Sequence, residues 1–242
     1  MKPTVRVTQI EQFRRWMSGK YEFMTEQDVI DSITHEFSGN EYTQIGTAFH
    51  GIVENGDNGM AVPQGDRCYR YYNEVKIEAV PEGKAYAVDG AEVVFDASQV
   101  KVALDYRAQF ADAFHEQREF KDYGDAIVTG CADLIHGATI RDIKTKYSPV
   151  NDSDYTDSCQ WRFYMELFGV ETFYFDLFIF EGYKKERHGV DVRGLELKRY
   201  EPAIECLHYP RLEEDCRRLL DEFLEWANFR GLTQFLQYKK NG

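Results

Sequence analysis

Residues 172–182, Thr-Phe-Tyr-Phe-Asp-Leu-Phe-Ile-Phe-Glu-Gly, constrain the fold more than any other stretch of this chain. From Phe173 to Phe180 the run is nearly continuous in apolar and aromatic side chains. A strand with one face in water alternates apolar and polar residues, whereas a continuous run needs cover on both faces. The chain must therefore build a sheet with a layer on each side. The flanking pattern supplies the parts. Ile45, Phe49, Ile52 and Val53 recur at helical spacing, and strand-like segments follow at 114–123, 126–136 and 139–146. A helix is predicted at about 157–169, before the 172–182 strand. Strands interleaved with helices in this way give a layered α/β domain with a mixed sheet.

Two of these strands carry charge where charge is costly. Gly130-Cys131-Ala132-Asp133 lies in the segment 126–136, and Asp142-Ile143-Lys144-Thr145 in 139–146, with Gly137 at the turn between. Residues two apart on a strand face the same side, so Asp142 and Lys144 point together and Ile143 enters the opposite layer. Asp133 can present its carboxylate beside Asp142. Two carboxylates that close repel unless a cation lies between them. Oxygen ligands of this kind suit Mg²⁺ or Mn²⁺, and a neighbouring lysine suits a phosphate substrate. The site so predicted is metal-dependent and acts on a phosphodiester. A purely structural ion pair would explain Asp142 and Lys144 but not the remaining residues.

Two further pairs stand one helical turn apart. His50 and Glu54 share a face of the first helix, and Gln160 and Tyr164 share a face of the helix after the strands. In chain order the motifs are G-x-x-x-H (Gly46–His50), G-x-x-D (Gly130–Asp133), D-x-K-T (Asp142–Thr145) and Q-x-x-x-Y (Gln160–Tyr164). This series resembles the RecB-type branch of the PD-(D/E)XK nuclease superfamily, over roughly residues 45–182. That branch includes the nuclease domains of bacterial recombination helicase-nucleases, CRISPR-adaptation nucleases and a mitochondrial single-strand exonuclease. The resemblance implies a restriction-endonuclease-like core of order αβββαβ, which is the order of elements predicted above.

The resemblance also implies roles. Asp133, Asp142 and the backbone carbonyl of Ile143 would hold the metal, with His50 an added ligand from the helix side. An imidazole ligand tilts the preference from Mg²⁺ toward Mn²⁺. Lys144 would orient the attacking water or stabilise the transition state. Glu54 would orient His50 or reach a second metal through water, or is simply an exposed acid near a helix end. Gln160 and Tyr164 would contact the nucleic-acid backbone or order the site. Glu119, on the first core strand, is a further acid that could face inward. The expected activity is a metal-dependent DNA nuclease, in the form of an exonuclease on single-stranded or open ends. The alternative is a nucleic-acid-binding or assembly module that has the fold without catalysis. Phage recombination, DNA repair and CRISPR-associated work all fit.

Bulk properties narrow the field. At 242 residues the chain suits one domain, and no Pro- or Ser-rich linker divides it. The expected division is a core at 45–55 and 114–182, an N-terminal helical addition at 1–44, an inserted α+β segment at 56–113 and a C-terminal hairpin and helix at 183–242. No apolar run is long enough to span a bilayer, and no signal-peptide core is visible, so a cytoplasmic protein is expected. There is no Walker motif, so any helicase or recombination partner would be a separate protein. Oligomeric state is not legible. The five cysteines (Cys68, Cys131, Cys159, Cys206, Cys216) contain no C-x-x-C pair, and no iron–sulfur cluster is expected.

The net charge of −13 runs against a general nucleic-acid binder. Local cations oppose it: Lys184, Lys185, Arg187, Arg193, Lys198 and Arg199, together with Arg141, Lys144, Lys146 and Arg162, could line a basic groove beside the metal. Of these, Arg162 and Lys146 are the candidates nearest the motifs for holding DNA.

In residues 1–44, helices are predicted at about 8–17 and from the cap Thr25, placed to guide a strand into the cleft. The insertion should hold strands at 73–79 and 84–95 and a helix at 97–113. Its cluster Tyr69, Tyr71 and Tyr72 either stacks on bases or packs on a hairpin. The helix 210–230 carries an apolar stripe of Leu212, Cys216, Leu219, Leu220, Phe223 and Ala227.

Overall fold

The computed structural model describes residues 2–34, 39–62, 69–72 and 75–237, the side chains of 69–79 excepted. Strand β1 (Thr4–Arg6) leads into helices α1 (Val7–Ser18), α2 (Glu26–Thr34) and α3 (Glu41–Asn55). Strands β2 (Met60–Val62), β3 (Tyr69–Tyr72), β4 (Val75–Ala79), β5 (Gly83–Val88) and β6 (Ala91–Asp96) precede helix α4 (Ala97–Gln109). The core strands β7 (Phe114–Asp122), β8 (Ile127–His136) and β9 (Thr139–Lys146) come next, then helices α5 (Ser153–Thr156) and α6 (Gln160–Phe168). The chain closes with β10 (Thr172–Phe180), α7 (Lys185–His188), β11 (Leu197–Arg199), β12 (Ile204–Leu207) and α8 (Leu212–Phe229).

The double burial expected of 172–182 is present in β10. Its odd-numbered residues Phe173, Phe175 and Leu177 enter a core beneath α1, α6 and α8. Its even-numbered Phe178 and Phe180 enter a second core beneath α3, α4 and the β5–β6 hairpin. Replacing one of these phenylalanines by alanine would cost about 3–5 kcal/mol, because neighbours on both sides cannot close the cavity. The result is a mixed sheet flanked by helices, the fold expected of a restriction-endonuclease-like core.

One strand organises that sheet. Along one edge β8 pairs with β7, antiparallel, from Ile127↔Asp122 to Ile135↔Phe114. The other edge is shared: β1 pairs in parallel with Ile127–Thr129, and β9 pairs antiparallel with Leu134–His136. Between those two partners, no strand among the described residues pairs with Gly130–Asp133 on that edge. On its far edge β9 runs parallel to β10 over its whole length, from Thr139↔Thr172 to Lys146↔Ile179. Thus β8 and β9 separate just beyond the Gly137 turn, and an opening forms between them.

Several sequence expectations need correction. Residues 1–44 hold a strand as well as helices: β1 joins the central sheet, and Val5, Val7, Ile10 and Phe13 are buried in the main core. The segment 84–95 is two strands, not one. Asp89 and Gly90 both have positive φ (45° and 77°) and turn β5 back on β6, as an Asp-Gly pair does in a tight hairpin. The C-terminal strands do not pair with each other. Both β11 and β12 pair with β10, as two pieces of one returning strand broken around Glu201–Pro202. Tyr69, Tyr71 and Tyr72 lie on β3, but their side chains fall outside the described residues. The α8 stripe is buried as expected at Leu212, Cys216, Leu220, Phe223 and Ala227.

Candidate active site

The opening between β8 and β9 leaves backbone groups that strand pairing would otherwise satisfy, and side chains satisfy them instead. The Ile143 amide donates to Asp133 Oδ2 at 2.8 Å. The Ile143 carbonyl lies 2.9 Å from His50 Nε2, which α3 brings from the opposite layer. The Cys131 carbonyl accepts from the Tyr164 hydroxyl of α6 at 2.9 Å. Two glycines permit these approaches. A Cβ on Gly130 would stand 3.0 Å from the Tyr164 ring and from Leu167, and one on Gly46 would stand 3.1 Å from Thr145 Oγ1. The motif glycines therefore let α6 and α3 close on the two strands.

Chain direction also turns here. Ala132 belongs to the core under α6, yet Leu134, two residues on, belongs to the core under α3. Residues two apart on a regular strand share a face, so β8 twists sharply at Asp133. That twist turns the Asp133 carboxylate toward β9.

Asp142 and Lys144 share a face of β9, as their spacing requires. Asp142 is buried, and its Oδ2 lies 2.7 Å from Lys144 Nζ. Its Oδ1 accepts from the Gln160 amide at 2.9 Å. Burial pushes the Asp142 carboxyl up, to about 6, with the charge of Asp133 adding to the rise and the Lys144 ammonium opposing it. Burial disfavours the Lys144 ammonium, but the carboxylates of Asp142 and Asp133 outweigh that and hold its pKa above the ordinary lysine value. The lysine side chain is 37% exposed, with its amine anchored to a buried acid.

A group that motif reading missed completes the cluster. Single ligand atoms of His50, Glu116 and Asp133 all lie within 4.8 Å of one another, and His50 Nδ1 is 3.8 Å from Asp133 Oδ2. Glu116 is on β7 between His115 and Gln117, which face Leu134 and Ala132, and so stands opposite Asp133. Its φ of 50° is a left-handed conformation rare for a glutamate and re-aims the side chain. Glu116 is an exposed residue, yet desolvation, then the Asp133 charge, raise its carboxyl; Glu54 adds to the effect and a contact from Cys131 Sγ at 3.4 Å opposes it. The sequence does contain this signal. The β7–β8 turn at Tyr123–Ala126 sets an antiparallel register, and counting back from it places residue 116 opposite Asp133.

The other candidates divide. Glu54, one turn beyond His50, is close enough for its charge to act on Glu116. Glu119 is exposed on β7 and not in the cluster; three residues from Glu116, it has the opposite strand parity. Tyr164 and Gln160 hold the strands from within, and burial raises the Tyr164 phenol well above its usual range. Arg162 is two residues from Gln160 on α6, so it faces away, lying against Trp161 and Tyr209 near α8. Lys146 lines a cleft of about 730 Å³ that opens beside His50, Lys144 and Tyr147.

Five of the cations named for a basic groove are engaged by acids instead. Arg141 and Arg199 both clamp the buried Asp176, at 2.5 and 2.6 Å. Arg193 is buried against Asp191. Lys198 pairs with Glu181 and Glu196, and Lys185 with Glu41. These residues lie near acids whose positions sequence order alone does not show.

Residues 9–229 match the family model described as the PD-(D/E)XK nuclease superfamily. No curated protein is matched in sequence. Two solved structures are similar in outline. A candidate exonuclease from Eubacterium rectale superposes with a TM-score of 0.47 at 11% identity, covering 98% of this chain and 83% of that one. The structure of SSO0001 gives a TM-score of 0.42 at 14% identity, covering 94% and 78%. Both are too distant to assign anything to this chain.

Proposed function

The chain belongs to the PD-(D/E)XK nuclease superfamily, and on that premise we propose that it hydrolyses DNA phosphodiesters at the β8–β9 opening. The observation that carries the proposal is the convergence of Asp133, Glu116 and His50 beside the Asp142–Lys144 pair. An unmodified chain gains nothing in stability from gathering acids there, since Glu116 and Asp142 are both harder to ionise for it. The donor set fits a divalent cation: two carboxylates, an imidazole and the adjacent Ile143 carbonyl, with Asp142 one strand residue away. Mg²⁺ or Mn²⁺ is the proposed ion, the imidazole favouring Mn²⁺. Such an ion would acidify a bound water and offset charge on the attacked phosphate.

The chain's own groups do the rest. Lys144, anchored at 2.7 Å to Asp142, holds its ammonium beside that acid, where it would meet a phosphate oxygen or orient the water. Gln160 occupies the second oxygen of Asp142 and so fixes the plane of that carboxylate. Tyr164 ties down β8 two residues before Asp133. Gln160 and Tyr164 are thus positioning residues rather than substrate contacts.

The four ordered motifs support assignment to the RecB-type branch, and with it action as an exonuclease on single-stranded or open ends. The test is cleavage of end-labelled single- and double-stranded DNA, linear and circular, in Mn²⁺, Mg²⁺ and EDTA, beside Asp133→Asn. Metal-dependent loss of linear strands only, absent in the variant, is the expected result. Cutting of circles would replace the exonuclease by an endonuclease. Intact DNA in every condition, still bound, would leave a binding module.

A further inference from the structure

We propose that the groove between α1 and α2 binds the single strand of DNA that leads to the β8–β9 opening, with Phe23 as a stacking platform for its bases. The proposal rests on the nuclease reading above and adds a strand-binding surface to it. The groove has a volume of about 1240 Å³, more than one small ligand would occupy. Phe23, at its rim, is 95% exposed, the most exposed large apolar side chain among the described residues. Tyr21 stands in the same wall, with the Arg15 guanidinium 4.9 Å and the Lys20 amine 5.9 Å from its ring centre.

Aromatic faces beside cations are what an unpaired strand needs, because stacking accepts any base and the cations meet the phosphates. A duplex hides its base faces and would leave Phe23 without a partner. Glu22, Asp28 and Asp31 balance Arg6, Arg15 and Lys20 in the lining, so the aromatic faces rather than net charge carry the affinity. Asp28, in the first turn of α2, takes the amide and hydroxyl of the cap Thr25 at 2.7 and 2.6 Å, and Asp31 takes the Gln27 amide at 2.8 Å.

The groove leads to the site. Lys20 Nζ reaches the start of α5, 2.8 Å from Ser153 Oγ and 3.3 and 3.2 Å from the carboxylates of Asp154 and Asp157. Tyr155 of α5 lies beneath the Lys146 amine, 5.7 Å from its ring centre. Lys146 is on the same face of β9 as Lys144, and both feel the positive charge of Arg15. Lys20, Arg15, Lys146 and Lys144 thus mark the way from the groove to Asp142, with Lys20 paired to Asp154 and Asp157, Arg15 to Glu11 and Lys144 to Asp142, so an entering phosphate exchanges with these acids.

The test is fluorescence anisotropy with 5′-labelled oligothymidine of four, eight and twelve nucleotides, in Ca²⁺, for the wild type, Phe23→Ala, Lys20→Gln and Phe229→Ala. Phe229 is 80% exposed on α8 and serves as a surface control. Affinity should rise with length for the wild type. Phe23→Ala should weaken the twelve-mer roughly tenfold, and Lys20→Gln should lower the salt dependence by about one phosphate contact. Phe229→Ala should bind as the wild type does. Equal binding by Phe23→Ala and Lys20→Gln, or no binding by the wild type, would overturn the proposal. Tighter, Phe23-dependent binding of the matched duplex would overturn its single-strand part. Cleavage is scored separately: Phe23-dependent binding without cleavage defeats the nuclease reading alone, and cleavage with Phe23-independent binding defeats the groove alone.

Discussion

Asp142 and Asp176 are buried on adjacent strands of one sheet, yet their surroundings differ in kind. Asp176, fully buried on β10, is ringed by Arg141, Arg199 and the Tyr106 hydroxyl at 2.5, 2.6 and 2.8 Å. Arg141 and Arg199 also lie over the aromatic rings of Tyr174 and Tyr106, so the cations are held as firmly as the acid. Asp142 faces the other layer with one partly exposed lysine, one amide and a second carboxylate nearby. Its carboxyl is pushed up to about 6, chiefly by burial. A buried acid with matched partners holds a fold together; one beside another acid is kept for something that arrives later. The difference lies in the partners, not in the residue or its burial.

This comparison can be broken in several ways. Asp142→Asn should lower cleavage on the order of a thousandfold while urea unfolding shows the fold intact. Cleavage by that variant at the wild-type rate in Mn²⁺ would place Asp142 with Asp176 as a structural acid. Asp176→Asn should instead cost about 3–5 kcal/mol of stability, since two guanidiniums lose their buried counter-charge. Its cleavage rate below the unfolding transition should change little. A loss under about 1 kcal/mol would mean that the arginines are solvated well enough to stand alone. Lys144→Ala should reduce the rate about a hundredfold with a much smaller change in DNA affinity, read by single-turnover cleavage against anisotropy. Equal losses in both would make Lys144 a binding residue only.

The smallest expected effect is on stability against pH in the metal-free protein. Folding raises the Asp142 pKa from 3.8 to about 6, so within that window the folded state binds the extra proton and the unfolded state does not. Stability contributed by the protonated form is therefore lost as pH rises across the window, the reverse of a salt-bridged aspartate. Asp142→Asn should flatten that decline, and added Mn²⁺ should offset it near neutral pH. A wild-type curve that climbs between pH 4 and 6 no less steeply than that of the variant would contradict the assignment.

Much of the architecture was legible in the chain itself. The β10 run demanded cover on both faces, the apolar stripe of α8 its burial, and Asp142-Ile143-Lys144 its alternation, because local periodicity follows from backbone geometry. Motif order also brought His50, Asp133, Asp142, Lys144 and Gln160 to one region of the fold. Other features depended on residues distant in sequence. Glu116 entered the cluster through the β7–β8 register and a left-handed backbone, whereas Glu119, three residues on, stayed outside. The roles of Arg141 and Arg199 depended on Asp176, a neighbour only once β9, β10 and β11 had paired. Separation of β8 from β9 arose because β1 and β9 take opposite ends of one edge. Periodicity within a segment reports which face is apolar; it carries no information on which charge from another segment will meet that face. The chain by itself determined the layers and the chemical groups available, and tertiary packing decided which groups became partners and which were left facing one another across the opening.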